Sequence, residues 1–260
     1  YMHAYELKMY SLSDVFAEKD IGFGLLQMVL QCISRDAQLL IFVTALITNA
    51  LVVSAMAKYS RILEISLYVY ITSSQFIGTM NGIRQCLAAA ILFAASPYLF
   101  EGRWKPYFAV VLFASLFHAS ALIMIPIYFF VRRRAWSWST ILLLMSSIMI
   151  VVGFNQFTSV LFSVISDTQY GGYAEFTEGG ANVIRVAVSA TPVLLAFLGR
   201  ERLRDICPYG DCIVNLSIIA LFFMIISTQN WIFARFALYL NFYALILISW
   251  IVMLFVERQR

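Results

Sequence analysis

The chain carries, at residues 103–134, the stretch RWKPYFAVVLFASLFHASALIMIPIYFFVRRR, and the charges of this stretch decide the fold. The segment from Pro106 to Val131 is apolar throughout, yet basic residues flank it on both sides. Lys and Arg accumulate on the cytoplasmic side of a membrane, so a single crossing would place one basic flank on the wrong face. The pattern therefore predicts a re-entrant hairpin, in which two helices of about 12 residues each turn near His118. Other helices must shield the turn, because an irregular backbone at membrane depth cannot face lipid.

The composition of the whole chain excludes a water-soluble domain. Of its 260 residues, 62% are apolar and only 12% are charged, too few charges to cover a surface in water. The apolar residues occur in runs of about 16 to 25, the length of helix that crosses a hydrocarbon core. We therefore predict an all-α integral membrane protein, a polytopic helical bundle forming one transmembrane domain over residues 1–260. The seven predicted spans are Ala37–Ala57, Ile62–Met80, Ile83–Phe100, Trp136–Phe154, Val183–Leu198, Cys212–Ser227 and Arg235–Val256.

Two polar segments are predicted to lie on the outer side of the membrane. Residues 1–36 contain one short apolar stretch, Ile21–Ile33, which is too short to span and is expected to form an interfacial or re-entrant helix. Residues 155–182 are expected to form an outer loop, because they contain no Lys or Arg but three acidic residues. These acidic residues are Asp167, Glu175 and Glu178. The chain begins at Tyr1, and we expect it to be a fragment that lacks one or more upstream spans.

Three arginines remain after topology has been satisfied: Arg84, Arg185 and Arg235. Each lies near the predicted outer end of a span. An arginine within a span normally faces a protein interior or a watery cavity, although one near a helix end can also extend its side chain to the interface. The planar guanidinium binds phosphate oxygens through paired hydrogen bonds. The three residues are therefore predicted to bind the diphosphate group of a lipid. The surrounding lipid bilayer is a second expected partner.

His118 is predicted to lie at the tip of the hairpin, on the same outer side. Its imidazole can accept a proton near neutral pH, which makes it a candidate catalytic base, although a packed core histidine is the alternative. Glu18 and Asp20 are the other candidates for the base or for binding the acceptor. No motif for a metal-bound diphosphate, a phosphate loop or a serine nucleophile is present, so neither metal nor cofactor is expected. The basic residues form no stripe on a polar domain, and nucleic acid is not expected as a partner.

A motif around these residues resembles the EpsG-type family of Wzy-like exopolysaccharide and O-antigen polymerases. It consists of Asn81-Gly82-Ile83-Arg84-Gln85, then Lys105, then Ala114-Ser115-Leu116-Phe117-His118-Ala119-Ser120-Ala121-Leu122. Weaker similarities extend it to Glu18 through Phe23, to Arg185 with the segment that follows Pro192, and to Phe233-Ala234-Arg235-Phe236 with Tyr239. The resemblance covers nearly the whole chain and adds Gln85 and Tyr239 as supporting residues of the site.

The resemblance implies a GT-C-like helical fold and a metal-independent lipid-linked glycosyltransferase. Such an enzyme would transfer a growing glycan from undecaprenyl diphosphate to a lipid-linked repeat unit. It would be a multi-pass protein of the bacterial cytoplasmic membrane, with its active site facing outside. Its expected partners are undecaprenyl-diphosphate-linked oligosaccharide and other polysaccharide-assembly membrane proteins.

Two other functions remain open at this stage. A membrane-bound O-acyltransferase also uses a histidine within the membrane, but it has no use for three arginines at the outer leaflet. A transporter or flippase of lipid-linked sugars is the alternative without catalysis, and it would be expected to show repeated halves. No internal repeat is visible in the sequence.

Overall fold

The computed structural model describes residues 2–165 and 179–255 and contains helices without any strand in this part of the chain. The predicted all-α class is confirmed. The helices, in chain order, are α1 Met2–Leu7, α2 Leu12–Ala17, α3 Ile21–Gln31, α4 Ala37–Tyr59, α5 Leu63–Thr72, α6 Gln75–Gly78, α7 Ile83–Ala94, α8 Ser96–Phe100, α9 Trp104–Ser115, α10 Met124–Val131, α11 Trp138–Val152, α12 Phe154–Ile165, α13 Val183–Leu198, α14 Arg200–Ile206, α15 Gly210–Ile226 and α16 Ala234–Ile251. Short 3-10 segments cover Ala119–Ile123, Trp231–Phe233 and Val252–Leu254.

Each of the seven predicted spans is helical over most of its length, but two are interrupted. The second breaks between α5 and α6, where Ser74 adopts a left-handed backbone with φ 62°. The third breaks at Ala95, directly before a helix that has Pro97 in its first turn. Proline has no backbone N–H and therefore fits the first turn of a new helix better than the interior of a continuous one.

The number of spans stays a prediction. In the described part of the chain, two helical segments are long and apolar enough to cross a membrane alone, Ala37–Tyr59 and Trp231–Leu254. Two further pairs of helices qualify only if each bent pair counts as one span, which gives up to 4. These are α11 with the start of α12, bent by 97°, and α13 with α14, bent by 83°. Apolar side chains still face outward: Phe42, Trp138 and Val188 are 65%, 72% and 65% exposed, as expected of a bundle surrounded by lipid.

The segment from Pro106 to Val131 folds as the predicted helical hairpin. Helix α9 and helix α10 pack side by side, and the rings of Tyr107 and Tyr128 stack across them with centroids 5.5 Å apart. At the open end, the Arg132 guanidinium donates to the Leu99 carbonyl at 3.1 Å. The chain reverses at residues 116–118, so His118 lies at the tip. Helices α7 and α16 contact the 3-10 segment that follows the turn, and α15 contacts α10.

The two predicted outer segments contain more helix than the sequence analysis expected. Residues 1–36 hold α1 and α2 in addition to the predicted apolar helix, which runs from Ile21 to Gln31. The expected loop at 155–182 is wrong in its first third, because α12 occupies Phe154–Ile165 after a sharp bend at Gly153. Residues 166–178, with the three acidic residues of that loop, lie outside the described residues.

Helices α15 and α16 pack against each other at the centre of the bundle. Tyr239 and Tyr243 of α16 are fully buried, and the Tyr243 ring meets the Phe93 ring of α7 edge to face at 5.0 Å. Large buried aromatic side chains contribute strongly to packing and fix the relative orientation of the helices. The core therefore holds α7, α15 and α16 in register, and this register positions the residues described next.

Candidate functional site

A cavity of about 580 Å³ opens where the hairpin turn meets the first turns of three helices. We call it the His118 cavity. It is lined by Lys19, Asp20, Gly78, Asn81, Gly82, Arg84, Gln85, His118, Ser120, Arg185, Met224, Trp231, Ile232, Ala234, Arg235, Phe236, Leu238 and Asn241. The three arginines singled out from the sequence therefore lie around one space, together with the histidine.

The arginines occupy equivalent positions in their helices. Arg84 is the second residue of α7, Arg185 is the third of α13, and Arg235 is the second of α16. The N-terminal end of a helix carries a partial positive charge, so a cation in the first turn is unfavourable there. An anion in the same place is attracted both by the helix ends and by the guanidinium groups. The arrangement therefore favours a negatively charged ligand.

Asp20 holds one of these guanidinium groups. Its carboxylate accepts a hydrogen bond from Arg84 Nη1 at 2.6 Å and another from the backbone N–H of Ala119 in the hairpin turn. Burial raises the pKa of the Asp20 carboxyl, and the neighbouring Arg84 opposes that rise. Because Asp20 precedes α3 directly, this one side chain connects the outer segment, the hairpin and α7.

The backbone of the outer segment touches the hairpin tip at Gly22. The Gly22 N–H donates to the Leu116 carbonyl at 2.8 Å. A Cβ atom at this position would lie 2.9 Å from the Leu116 Cβ and 3.1 Å from its backbone carbon. Only glycine permits so close an approach without a shift of one backbone. The contact fixes where Asp20 enters the cavity.

The other two arginines are held differently. The Arg235 guanidinium lies over the Trp231 ring at 4.6 Å, and the backbone carbonyl of Arg235 accepts from Gln85 Nε2 at 2.8 Å. Gln85 thus ties the start of α16 to the start of α7. Arg185 is exposed at the cavity rim and forms no ion pair with the residues at 2–165 and 179–255. Of the three, Arg185 has the most freedom to move toward a ligand.

His118 belongs to a short chain of hydroxyl groups. Its Nδ1 is 2.6 Å from Ser120 Oγ and 3.3 Å from the Tyr239 hydroxyl, and these two hydroxyls are 2.7 Å apart. When Nδ1 carries the proton it donates to Ser120, and Nε2 is then free to accept a proton from a ligand. Tyr239 is fully buried, so the chain of contacts fixes the imidazole from its inner side. Ser120 and Tyr239 orient the ring.

Two positive charges share the cavity with His118. The residue is half-buried in the turn at 116–118, and Arg84 and Arg235 line the same cavity. An anion bound between the arginines would offset part of their positive charge and favour transfer of a proton to the imidazole.

The structure brings most of the predicted site residues together. Arg84, Arg185, Arg235, His118, Asp20 and Gln85 line the cavity, and Tyr239 contacts His118 from behind. Glu18 does not line it, because its carboxylate pairs with Lys8 at 2.7 Å on the outer surface. Ser120 was not singled out from the sequence, although its position two residues after His118 in the quoted motif was the available signal. No group of three or more potential metal ligands occurs in the described ranges.

Comparison with known proteins gives one match. The model of the EpsG family matches residues 1–260, the whole chain. No curated protein and no solved structure matches. The chain therefore belongs to the EpsG family, a family of membrane proteins associated with Wzy-like polysaccharide polymerisation.

Proposed function

We propose that this protein is a polysaccharide polymerase that transfers a growing glycan from undecaprenyl diphosphate to a lipid-linked repeat unit. The observation that carries the proposal is the convergence of Arg84, Arg185 and Arg235 on the cavity that contains His118. Family membership supports a role in polysaccharide assembly, and the charges of the cavity support a diphosphate as the ligand.

The three arginines would bind the diphosphate of the donor. A diphosphate carries several oxygens over a short distance, and each guanidinium can contact two of them in one plane. The helix ends beneath the arginines add fixed dipoles of the same sign. Arg84 would exchange its contact with Asp20 for phosphate oxygens, or would share its donors between them.

In the transfer step, a sugar hydroxyl of the repeat unit attacks the anomeric carbon of the growing chain. The new C–O bond forms as the bond between that carbon and the diphosphate oxygen breaks, and the electron pair of the broken bond stays on the diphosphate. His118 Nε2 takes the hydroxyl proton, while Ser120 and Tyr239 hold the ring. The arginines stabilise the negative charge that develops on the departing diphosphate.

Within this proposal, Asp20 also helps to position the acceptor. Its carboxylate lies in the same cavity as His118 and would be released when a diphosphate takes over Arg84. A released carboxylate can accept hydrogen bonds from sugar hydroxyls, so Asp20 would position the acceptor. Glu18 is less suited to this task, since it pairs with Lys8.

The proposed setting is the bacterial cytoplasmic membrane, with a GT-C-like bundle whose His118 cavity faces outside. The basic residues at the opposite end of the hairpin, Arg103 and Arg132 to Arg134, would then face the cytoplasm, as the positive-inside bias requires. Lipid-linked oligosaccharide would enter from the outer leaflet. Other polysaccharide-assembly membrane proteins would supply it and receive the product.

The experiment that tests the proposed function replaces His118 in the purified protein. His118→Gln keeps the size and hydrogen bonding of the side chain but cannot accept a proton at neutral pH. With lipid-linked repeat units as substrate, chain growth on a gel should fall by roughly a hundredfold to ten-thousandfold. Protein yield and binding of the lipid substrate should be unchanged, because binding rests on the arginines. Full polymerisation by His118→Gln would assign the residue to packing, and wild-type protein that releases no undecaprenyl diphosphate would contradict the polymerase itself.

The orientation is tested by labelling cysteines introduced singly at the exposed positions Trp104 and Arg134, in the two basic flanks of the hairpin, in a protein whose exposed Cys32 is replaced by Ser. A re-entrant hairpin keeps its ends on one side, so both cysteines should react with a membrane-impermeant reagent only from the cytoplasm. A cysteine at Asn81, on the rim of the His118 cavity, should react only from outside. Labelling of the two flanks from opposite sides would mean that the segment crosses the membrane.

A further inference from the structure

A second cavity, of about 350 Å³, lies at the other end of the bundle. We call it the basic cavity. It is lined by Leu99, Phe100, Val131, Arg132, Arg133, Arg134, Arg204, Cys207, Pro208, Tyr209, Gly210, Asp211 and Cys212. Helix α15 contributes Gly210 to this cavity and Met224 to the His118 cavity, so the two are separated by about 20 Å along that helix. The basic cavity is therefore a separate site.

The charges of the basic cavity are strongly unbalanced. Four arginines line it, and Asp211 is the one carboxylate among the lining residues. That carboxylate already has two partners, because it accepts from Arg204 Nη2 at 3.2 Å and from the backbone N–H of Ala135 at 3.2 Å. The remaining positive charge faces a concave space rather than a flat surface.

Contacts with the protein hold one of the guanidinium groups in place before any ligand arrives. Arg132 Nη1 donates to the Leu99 carbonyl at 3.1 Å, and the guanidinium lies 5.7 Å from the centre of the Tyr128 ring. It also rests against Gly102, where a Cβ atom would come within 2.5 Å of it. A donor group that is fixed in advance loses little conformational entropy when it binds an anion.

The backbone beneath Arg133 and Arg134 is fixed as well. Asn215 lies in the core of α15 and is 1% exposed, and its Nδ2 donates to the Arg133 carbonyl at 2.7 Å and to the Val131 carbonyl at 3.2 Å. The first turn of α15 adds the positive end of its dipole to the same wall of the cavity. These hydrogen bonds hold the backbone from which the side chains of Arg133 and Arg134 extend.

The positive-inside bias explains why basic residues occur at this end of the bundle. It does not explain why four arginines surround one cavity. Arg200 and Arg202 lie at the same end and do not line the cavity. Instead, they donate to the carbonyls of Phe197 and Leu254 near helix ends. A bias for positive charge would be satisfied by such scattered residues, whereas four arginines around one space are typical of an anion site.

We propose that the basic cavity binds a phosphate-bearing anion. Phosphate oxygens match the forked donors of several arginines, and the half-buried Phe100 ring on the same wall suits the part of a ligand that joins the phosphate to a lipid. The phosphate can come from the headgroup of an acidic phospholipid or from a free inorganic anion. The proposal requires no polymerase activity and stands apart from the proposed function.

The test compares two double variants that remove the same charge from the same end of the bundle. Arg133→Gln with Arg134→Gln empties the rim of the basic cavity, while Arg103→Gln with Arg200→Gln changes two exposed arginines that do not line it. Arg132 and Arg204 are left intact because their side chains hold neighbouring elements together. The fold of each variant is checked by its thermal unfolding midpoint.

Two probes distinguish the sources of the phosphate. Native mass spectrometry measures binding of phosphatidylglycerol against phosphatidylcholine, and equilibrium dialysis measures binding of inorganic pyrophosphate. One binding component should have at least tenfold weaker affinity in Arg133→Gln with Arg134→Gln. The control, Arg103→Gln with Arg200→Gln, should bind that component with wild-type affinity. Loss confined to phosphatidylglycerol identifies a lipid headgroup, and loss of pyrophosphate identifies a free anion. Equal affinities in the two double variants for both probes would overturn the proposal.

Discussion

Both ends of the bundle collect arginines, but the two groups stand in opposite relation to the helices that carry them. In the His118 cavity, Arg84, Arg185 and Arg235 lie in the first turns of their helices. In the basic cavity, Arg132 directly follows the last residue of α10 and Arg204 lies in the last turn of α14. A cation stabilises the C-terminal end of a helix and destabilises the N-terminal end.

This difference separates two reasons for placing an arginine in a membrane protein. At the basic end, topology and helix dipoles agree for Arg132 and Arg204, so these two arginines stabilise the protein whether or not a ligand is bound. At the His118 end, the arginines lie near the starts of helices, and only Arg84 has a carboxylate partner, Asp20, among the described residues. The positive charge that remains on Arg185 and Arg235 is favourable when an anion is bound. The comparison therefore favours the His118 end as the place where the arginines serve ligand binding, in line with the proposed function.

Among the variants that test this comparison, Arg84→Lys is expected to cause the largest loss of polymerisation activity. The substitution keeps the positive charge but removes the planar fork, so it separates simple attraction from paired hydrogen bonding. Polymerisation should fall by roughly a hundredfold, the usual effect of losing one donor to a developing negative charge. Arg103→Lys is the matched control, because Arg103 lies at the opposite end in an exposed pair with Glu101, and it should polymerise normally. Equal activity of the two variants would show that charge alone suffices at Arg84.

A smaller effect, on stability, is expected from Gly22→Ala. The added Cβ would meet Leu116 at 2.9 Å, so the outer segment must move away from the hairpin tip and carry Asp20 with it. We expect a loss of about 1–3 kcal/mol in the free energy of unfolding, with lower activity. Gly179→Ala is the control, since nothing lies within 4 Å of its added atom and Gly179 does not line the His118 cavity. A Gly22→Ala protein with the unfolding midpoint and activity of wild type would mean that this contact does not position the site.

The hairpin and the grouping of arginines were predictable because each follows from a simple rule. Basic flanks on both sides of Pro106–Val131 forced the chain to return, and Tyr107 duly stacks on Tyr128. Arg84 and Arg235 each lie at the start of an apolar run, so a bundle with its helix ends aligned brings them to one level. Periodicity and charge carry this information along the sequence.

Other features depend on contacts that no local pattern specifies. Glu18 and Asp20 are two residues apart and chemically alike, yet only Asp20 enters the cavity, because Gly22 fixes the approach of the chain to Leu116. The Ser120 hydroxyl, which contacts His118 two residues away, also lies 2.7 Å from the hydroxyl of Tyr239, which is 119 residues further along the chain. The helix at 154–165 was expected to be part of a loop because residues 155–182 contain acidic residues and no Lys or Arg, a pattern that indicates a side of the membrane and not a backbone conformation.

The central claim, that the His118 cavity is the diphosphate site, is tested most directly by binding of undecaprenyl diphosphate to two double variants. Arg185→Gln with Arg235→Gln removes two charges from the His118 cavity, and Arg133→Gln with Arg134→Gln removes two from the basic cavity. Native mass spectrometry over a range of lipid concentrations gives the affinity of each. We predict one binding component for undecaprenyl diphosphate whose affinity falls at least tenfold in the first variant. The second variant should keep the wild-type affinity of that component. Wild-type affinity in the first variant, or an equal loss in both, would contradict the account.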